Sequence, residues 1–69
     1  MNRTPVTSSS IAAVGYDPST MTLEIEFKHG AVYQYFDVPE AVYRELMNAD
    51  SKGIYFNSMI RGAFRHAKA

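Results

Sequence analysis

Two groups of side chains in this sequence have types and spacings that suit the binding of nucleic acid. Tyr33 and Tyr35 flank Gln34, and neighbouring aromatic rings on a sheet can stack on the bases of single-stranded RNA. Arg61 and Arg65 lie four residues apart, so on one helix they would share a face and could hold a phosphate between their guanidinium groups. The candidate nucleic-acid-binding residues are therefore Lys52, Arg61, Arg65, Lys68, Tyr33 and Tyr35.

Both patterns also have purely structural interpretations. Tyr33 and Tyr35 could be half-buried core residues whose hydroxyls reach the rim of the sheet. The basic segment could be a solvated face with a basic C-terminal turn that suits the negative end of the helix dipole. Lys52 belongs to the anion-binding interpretation, because it lies near the positive end of that helix, where anions are favoured. The sequence leaves the two interpretations open for the tyrosines and for the basic segment.

Charge is distributed unevenly along the 69 residues. The chain has seven basic and seven acidic residues, and the resulting formal net charge of zero is unusual for a nucleic-acid binder. The first 50 residues contain all seven acids and three basic residues, whereas the last nineteen contain four basic residues and no acid. This change of sign, from −4 to +4, is compatible with an anion-binding face near the end of the chain.

Length and composition exclude several classes of protein. At 7.8 kDa with 46% hydrophobic residues, the chain is one small globular domain, too short for a multidomain enzyme, a dinucleotide-binding domain or a repeat solenoid. Because there is no cysteine, disulfides, thiol nucleophiles and thiolate metal sites are excluded. His29 and His66 are too far apart for a local metal motif, and the Ser8–Ser10 run has no partnering base. We expect no enzyme activity, no cofactor and no metal.

No segment has the composition of a signal peptide or the length of a membrane span. The sequence therefore predicts a cytoplasmic protein without membrane contact.

Three strands are predicted, at Ser10–Asp17, Met21–Lys28 and Ala31–Phe36. The second strand gives the clearest pattern, since apolar and charged residues alternate with a period of two from Leu23 to Lys28. Its glutamates, Glu24 and Glu26, are predicted to lie on a solvated face beside Lys28. A turn at residues 17–20, with proline at its second position, joins the first two strands.

The turn before Ala31 decides which way the tyrosines point. A two-residue loop at His29-Gly30 would pair Lys28 with Ala31 and place both tyrosines beside the glutamates. A three-residue loop ending in a left-handed Gly30 would pair Phe27 with Ala31 and place them on the core face. We favour the second register, because it leaves the polar Gln34 on the solvent side.

Two helices are predicted to follow the strands. Asp37 and Glu40 resemble a capping box for the first helix, which ends near Ala49. Ser51 is a plausible cap for the second helix, from Lys52 to Phe64. Apolar residues recur at helical spacing in both, at Val42, Tyr43, Leu46 and Met47, and at Phe56, Met59, Ile60, Ala63 and Phe64.

The predicted fold is α+β: a three-stranded antiparallel meander followed by two helices packed on one face, in the order β-β-β-α-α. Residues 1–9 are predicted to be a flexible lead-in and residues 10–69 a single domain. Asn57, a poor helix former, is predicted to bond to the loop near Ser8–Ser10.

Several short motifs together resemble the KTSC domain, which is named from the C-terminus of some lysine-tRNA synthetases and also occurs as small stand-alone bacterial proteins. The motifs are Ser8-Ser9-x-Ile11-x-x-Val14-Gly15-Tyr16-Asp17, Leu23-x-Ile25-x-Phe27, Gly30-x-x-Tyr33-x-Tyr35, Asp37-Val38-Pro39 and Ser51-x-Gly53-x-x-Phe56-Asn57-x-x-Ile60-Arg61. The resemblance covers roughly residues 6–64. It departs from the family at Phe64, where a tyrosine is expected.

The resemblance implies a small binding module whose biochemical role is unassigned. The association with a synthetase suggests weak, salt-sensitive binding of RNA or tRNA. The alternative is a protein-interaction or self-association module that pairs through an uncovered sheet edge.

Overall fold

The sheet of this protein is an antiparallel meander of five strands in chain order, where the sequence predicts three. A computed structural model describes all 69 residues. The elements are β1 (Thr4–Pro5), β2 (Ile11–Asp17), β3 (Thr22–Phe27), β4 (Val32–Tyr35), α1 (Glu40–Asn48), α2 (Lys52–Met59) and β5 (His66–Lys68). The α+β class and the two helices are as predicted.

The two additional strands are short and lie at the edges of the sheet. β1 pairs with β2 through Thr4 and Pro5, within the segment predicted to be a lead-in. β5 pairs with β4, so it covers the edge that the three-stranded prediction left free. With two and three residues, both strands are too short for an alternation of apolar and polar side chains to be recognised in the sequence.

The hairpin between β3 and β4 has the favoured register, which confirms the three-residue loop. The backbone N–H of Phe27 donates to the carbonyl of Ala31 at 2.9 Å, and Gly30 adopts a φ of +105°. Glycine reaches this φ without the steric cost that a Cβ would bring. Tyr33 and Tyr35 are consequently the partners of Ile25 and Leu23 on the core face.

The core lies between this face of the sheet and the two helices. Nine buried residues form it: Ile11, Val14, Leu23, Ile25, Tyr35, Val38, Leu46, Phe56 and Ile60. Phe27 and Val42 are partly buried against the cluster. The alternating residues of β3 and the apolar stripe of α1 therefore meet as predicted.

The connection from β4 into α1 does not form the predicted capping box. Pro39 occupies the N-cap position and no side chain bonds to the first turn of the helix. Asp37 instead has a positive φ of 58°, and the following Val38 donates its N–H to the carbonyl of Met21. The chain is thus anchored to the β2–β3 turn before the helix begins.

α2 is shorter than predicted, because it ends at Met59 and not at Phe64. Its start is confirmed, since the Ser51 hydroxyl accepts the N–H of Ile54. Ile60 leaves the helix but stays buried in the core, and the chain then turns back to pair β5 with β4. Met59 is 52% exposed, so its helical spacing from Phe56 does not place it on the buried face of α2. Neither helix has the length and apolar character that crossing a membrane requires.

The opposite face of the sheet is partly covered by the start of the chain. The carbonyl of Asn2 approaches Gly15 so closely that a Cβ there would lie 2.8 Å from it. Arg3 forms ion pairs with Glu24 and Glu26, and Gln34 donates to Glu24 at 2.9 Å. Glu24 is therefore buried, and the prediction of a solvated glutamate beside Lys28 is wrong for this residue.

Candidate functional site

A hollow of about 530 Å³ opens on the core face of the sheet, beside α2. We call it the aromatic pocket. Eight residues line it: Phe27, His29, Tyr33, Tyr35, Phe56, Asn57, Arg61 and His66. Its volume is in the range of small-molecule binding sites, and no acidic residue contributes to its wall.

Strand register brings most of these side chains together. Residues paired across an antiparallel ladder project to the same face, so Tyr33 and Tyr35 on β4 share the core face with their β5 partners Lys68 and His66. The hairpin turn brings His29 over Phe27, with the rings stacked at 5.5 Å and 3° apart in orientation. β3 with its hairpin turn, β4 and β5 thereby all contribute side chains to the lining of the pocket.

The aromatic rings form a continuous set of edge and face contacts. Phe56 from α2 packs edge-on against both Phe27, at 5.5 Å, and Tyr35, at 5.3 Å. His66 lies 5.3 Å from Tyr35 and 6.1 Å from Tyr33, tilted to both. Rings fixed by such contacts present pre-positioned π surfaces, which lowers the entropic cost of stacking a planar ligand.

Arg61 supplies the positive charge of the pocket. The other three arginines are paired with carboxylates: Arg3 with Glu24 and Glu26, Arg44 with Glu40, and Arg65 with Asp37. Arg61 has no carboxylate partner and is exposed at the pocket wall. An unpaired guanidinium beside aromatic rings is suited to an anion that carries a planar group.

The hydroxyl of Tyr35 is a neutral donor in the same pocket. Burial raises the pKa of Tyr35 above its usual value, Tyr33 adds to the increase, and the charge of Arg61 opposes it. The hydroxyl makes no hydrogen bond within the chain, yet it is not among the fully enclosed polar atoms, so it reaches the pocket. It can donate to a ligand without repelling an anion.

Three of the six candidate residues meet in the aromatic pocket: Tyr33, Tyr35 and Arg61. Lys68 is the register partner of Tyr33, on the same face of the sheet but outside the lining. Tyr35 is a core residue with 4% exposure and Tyr33 is half-buried, as the structural interpretation of the tyrosines predicts. Stacking of these rings on a base stays a prediction.

Lys52 and Arg65 lie elsewhere. The ammonium group of Lys52 donates to the carbonyl of Ala49 at 3.1 Å, so it bonds to the C-terminus of α1. Arg65 pairs with Asp37 at 2.8 Å and lies over the ring of Phe36. The prediction that Arg61 and Arg65 share a helix face is wrong, because the helix ends before either residue.

The remaining lining residues were not predicted as part of a site. Phe27 and Phe56 carry only a core pattern in the sequence, and His29 and His66 are too distant in sequence to suggest a common location. Asn57 was predicted to bond to the Ser8–Ser10 loop, but the Ser8 hydroxyl accepts the N–H groups of Ser10 and Ile11 instead. Gly53 of α2 does lie against that loop, because a Cβ on this residue would lie 2.9 Å from the Ser10 hydroxyl oxygen.

Residues 7–64 of the chain match the family model described as the KTSC domain. The fold agrees with that match, since a crystal structure of a KTSC domain protein from Yersinia pestis superimposes with a TM-score of 0.94 at 45% identity. The alignment covers 99% of this chain and 96% of that one.

Similar sequences occur both in small proteins and inside a larger one. A protein of Stutzerimonas stutzeri is 44% identical over 61 residues, which are 88% of this chain and 86% of the relative. A lysine–tRNA ligase of Nostoc sp. is 50% identical over 58 residues, which are 84% of this chain. The matched segment spans only 10% of the length of that ligase.

Proposed function

This chain belongs to the KTSC domain family, and from its aromatic pocket we propose that it is a non-catalytic module that binds single-stranded RNA weakly. One base would enter the pocket, and Arg61 would contact the phosphate or a base carbonyl. The observation that carries the proposal is the juxtaposition of aromatic rings with an arginine that has no partner in the chain.

The chemistry of the lining supports RNA over other anions. Tyr33, His29 and His66 offer ring surfaces on which a base can stack, and stacking is tolerant of base identity. Asn57 is exposed and makes no hydrogen bond within the chain, so its amide is available to a base edge. Since no acidic residue lines the pocket, a phosphate would meet no opposing charge there.

The occurrence of a similar segment in a lysine–tRNA ligase supports tRNA as the source of the RNA. The cytoplasmic location that the sequence predicts would place the module together with tRNA. A single positive side chain in the pocket, with Lys68 nearby on the same face, would give a small number of phosphate contacts. Binding would therefore be weak and would decrease as salt is raised.

The test is a comparison of two charge-neutralising variants, Arg61→Gln and Arg44→Gln. Both remove one positive charge from an exposed position, but Arg44 lies on α1 and pairs with Glu40. Binding of fluorescently labelled oligouridylate and of tRNA is followed by anisotropy at low and raised salt. We expect Arg61→Gln to weaken binding about tenfold, because a charge-assisted hydrogen bond is lost, and Arg44→Gln to change it by less than about twofold.

Equal effects of the two substitutions would contradict a role of the pocket, and absence of RNA binding by the unaltered chain at low salt would exclude the proposed function. The interaction module then becomes the alternative. Sedimentation velocity over a range of concentrations tests its self-association form. β5 offers only three residues for pairing at its sheet edge.

A further inference from the structure

A second hollow of about 570 Å³ adjoins the aromatic pocket and is not used by the proposed function. We call it the outer hollow. It is lined by Phe36, Gly62, Ala63, Phe64, Arg65 and His66. His66 is the one residue that lines both hollows, so the two hollows meet at this residue.

The extended backbone at the end of the β4–β5 ladder explains why Phe36 and Arg65 lie together in the outer hollow. Tyr35 pairs with His66, and the next step of the ladder is a hydrogen bond from the N–H of Phe36 to the carbonyl of Arg65, at 2.9 Å. Successive residues of an extended chain project to opposite sides. Phe36 and Arg65 therefore meet on the side away from the aromatic pocket, where the guanidinium lies 5.6 Å from the ring centroid.

The outer hollow has its own stacking surface. The guanidinium of Arg65 is held over Phe36 by its ion pair with Asp37, at 2.8 Å. An exposed guanidinium beside an aromatic ring is a group on which a base can stack. Phe64 adds a half-buried ring to the same hollow. Because Asp37 offsets the charge of Arg65, recognition here would come mainly from stacking.

We propose that the two hollows are adjacent subsites for two consecutive nucleotides of one RNA strand, with one base on each side of His66. This inference rests on the proposed function and adds the class of ligand: a dinucleotide step, not an isolated nucleotide. Arg61 contributes to the first hollow and Gly62 to the second, so the turn after α2 passes beside both subsites. The phosphate that joins the two nucleosides would then lie near Arg61 and His66.

The test compares adenosine monophosphate with the dinucleotide ApA, by residue-resolved NMR titration of the full chain. We expect the mononucleotide to shift signals of the aromatic pocket, and ApA to shift those of Gly62 and Ala63 in addition. Because a second base would stack in the outer hollow, ApA should bind about tenfold more tightly than the mononucleotide.

Two matched variants locate the second base. Ala63→Glu places a carboxylate in the outer hollow, and Ala41→Glu places the same group on α1, where the side chain is also exposed. We expect Ala63→Glu to abolish the advantage of ApA while the affinity for the mononucleotide changes by less than about twofold. Ala41→Glu should leave the advantage in place.

The outcomes separate this inference from the proposed function. If both ligands bind equally well to the unaltered chain, or if Ala63→Glu and Ala41→Glu act alike, the two-subsite inference is wrong and RNA binding by the aromatic pocket stands. If neither these ligands nor longer RNA bind at low salt, both are wrong.

Discussion

Tyr35 and His66 are register partners across the β4–β5 ladder, and their rings pack 5.3 Å apart with a tilt of 33°. This contact joins a core residue on a central strand to a residue on an exposed edge strand. It means that β5, and not a helix, closes one side of the aromatic pocket. The site therefore depends on three residues of β5 that also complete the sheet.

Replacing His66 tests that dependence. His66→Ala removes a stacking surface, and the RNA affinity should decrease about fivefold or more, since stacking on an aromatic side chain contributes about 1–3 kcal/mol per base. Labelled oligouridylate and anisotropy provide the measurement. Ala67→Ser, in the same strand but on the opposite face, serves as the control and should bind like the unaltered chain. Equal affinities for both variants would exclude His66 from the site.

The stacked pair of Tyr16 and Tyr43 allows the contribution of a hydrogen bond to stability to be measured apart from that of ring stacking. Tyr16 and Tyr43 stack with centroids 4.9 Å apart, but only the Tyr16 hydroxyl donates within the chain, to the carbonyl of the buried Val38. Tyr16→Phe should lower the free energy of unfolding by about 1 kcal/mol, because that carbonyl loses its donor. Tyr43→Phe should change it by less than about 0.5 kcal/mol. Urea denaturation measures both, and equal losses would contradict the assignment.

Stability should depend on pH through Glu24. Burial raises the pKa of this carboxyl, but hydrogen bonds from Gln34 and Arg3 and the charge of Arg3 outweigh burial, so the pKa lies below its usual value. The unfolded chain then binds more protons than the folded chain in mildly acidic solution, and stability rises with pH. The contribution is complete above the ordinary glutamate pKa, about 4.3, and is lost as the pH falls through the lower folded value.

Glu24→Gln isolates this contribution. Urea midpoints of the variant and the unaltered chain should differ most near neutral pH and should converge as the solution is acidified. A difference that stays constant from neutral to acidic pH would show that the carboxylate form is not favoured by folding.

Two exposed glycines differ in backbone conformation, so replacing each by alanine should change the free energy of unfolding differently. Gly30 has a φ of +105°, so Gly30→Ala should destabilise the chain by about 1–2 kcal/mol. A Cβ on Gly62 meets no atom within 4 Å and its φ is not positive. Gly62→Ala should be neutral or stabilising, by up to about 1 kcal/mol. Chemical denaturation checks the pair, and a neutral Gly30→Ala would contradict the left-handed turn.

Local patterns explain why much of the fold could be predicted. The alternation from Leu23 to Phe27 defines the buried face of β3, and the position of Gly30 before Ala31 selects the hairpin loop that aligns Tyr33 and Tyr35 with that face. The stripe at Val42 and Leu46 orients α1. Each of these signals lies within a few residues of sequence, where periodicity and turn chemistry act directly.

The features that escaped prediction depend on contacts distant in sequence. β1 and β5 are strands only because β2 and β4 offer free edges. The helical spacing of Ile60 and Phe64 is misleading, because Ile60 enters the core from a turn. Glu24 is buried because Arg3 folds back over it, 21 residues away. The aromatic pocket likewise combines a hairpin turn, a helix and an edge strand, and no local motif encodes that combination.

RNA binding by the aromatic pocket is tested most directly by titrating isotope-labelled protein with a short single-stranded RNA and following the NMR signals of each residue. We expect the signals of Tyr33, Tyr35, Arg61 and His66 to shift together, while those of Arg44 on α1 stay in place, and we expect added salt to reverse the shifts. Shifts confined to Lys52 and α1, or an unchanged spectrum at low salt, would contradict RNA binding by this pocket.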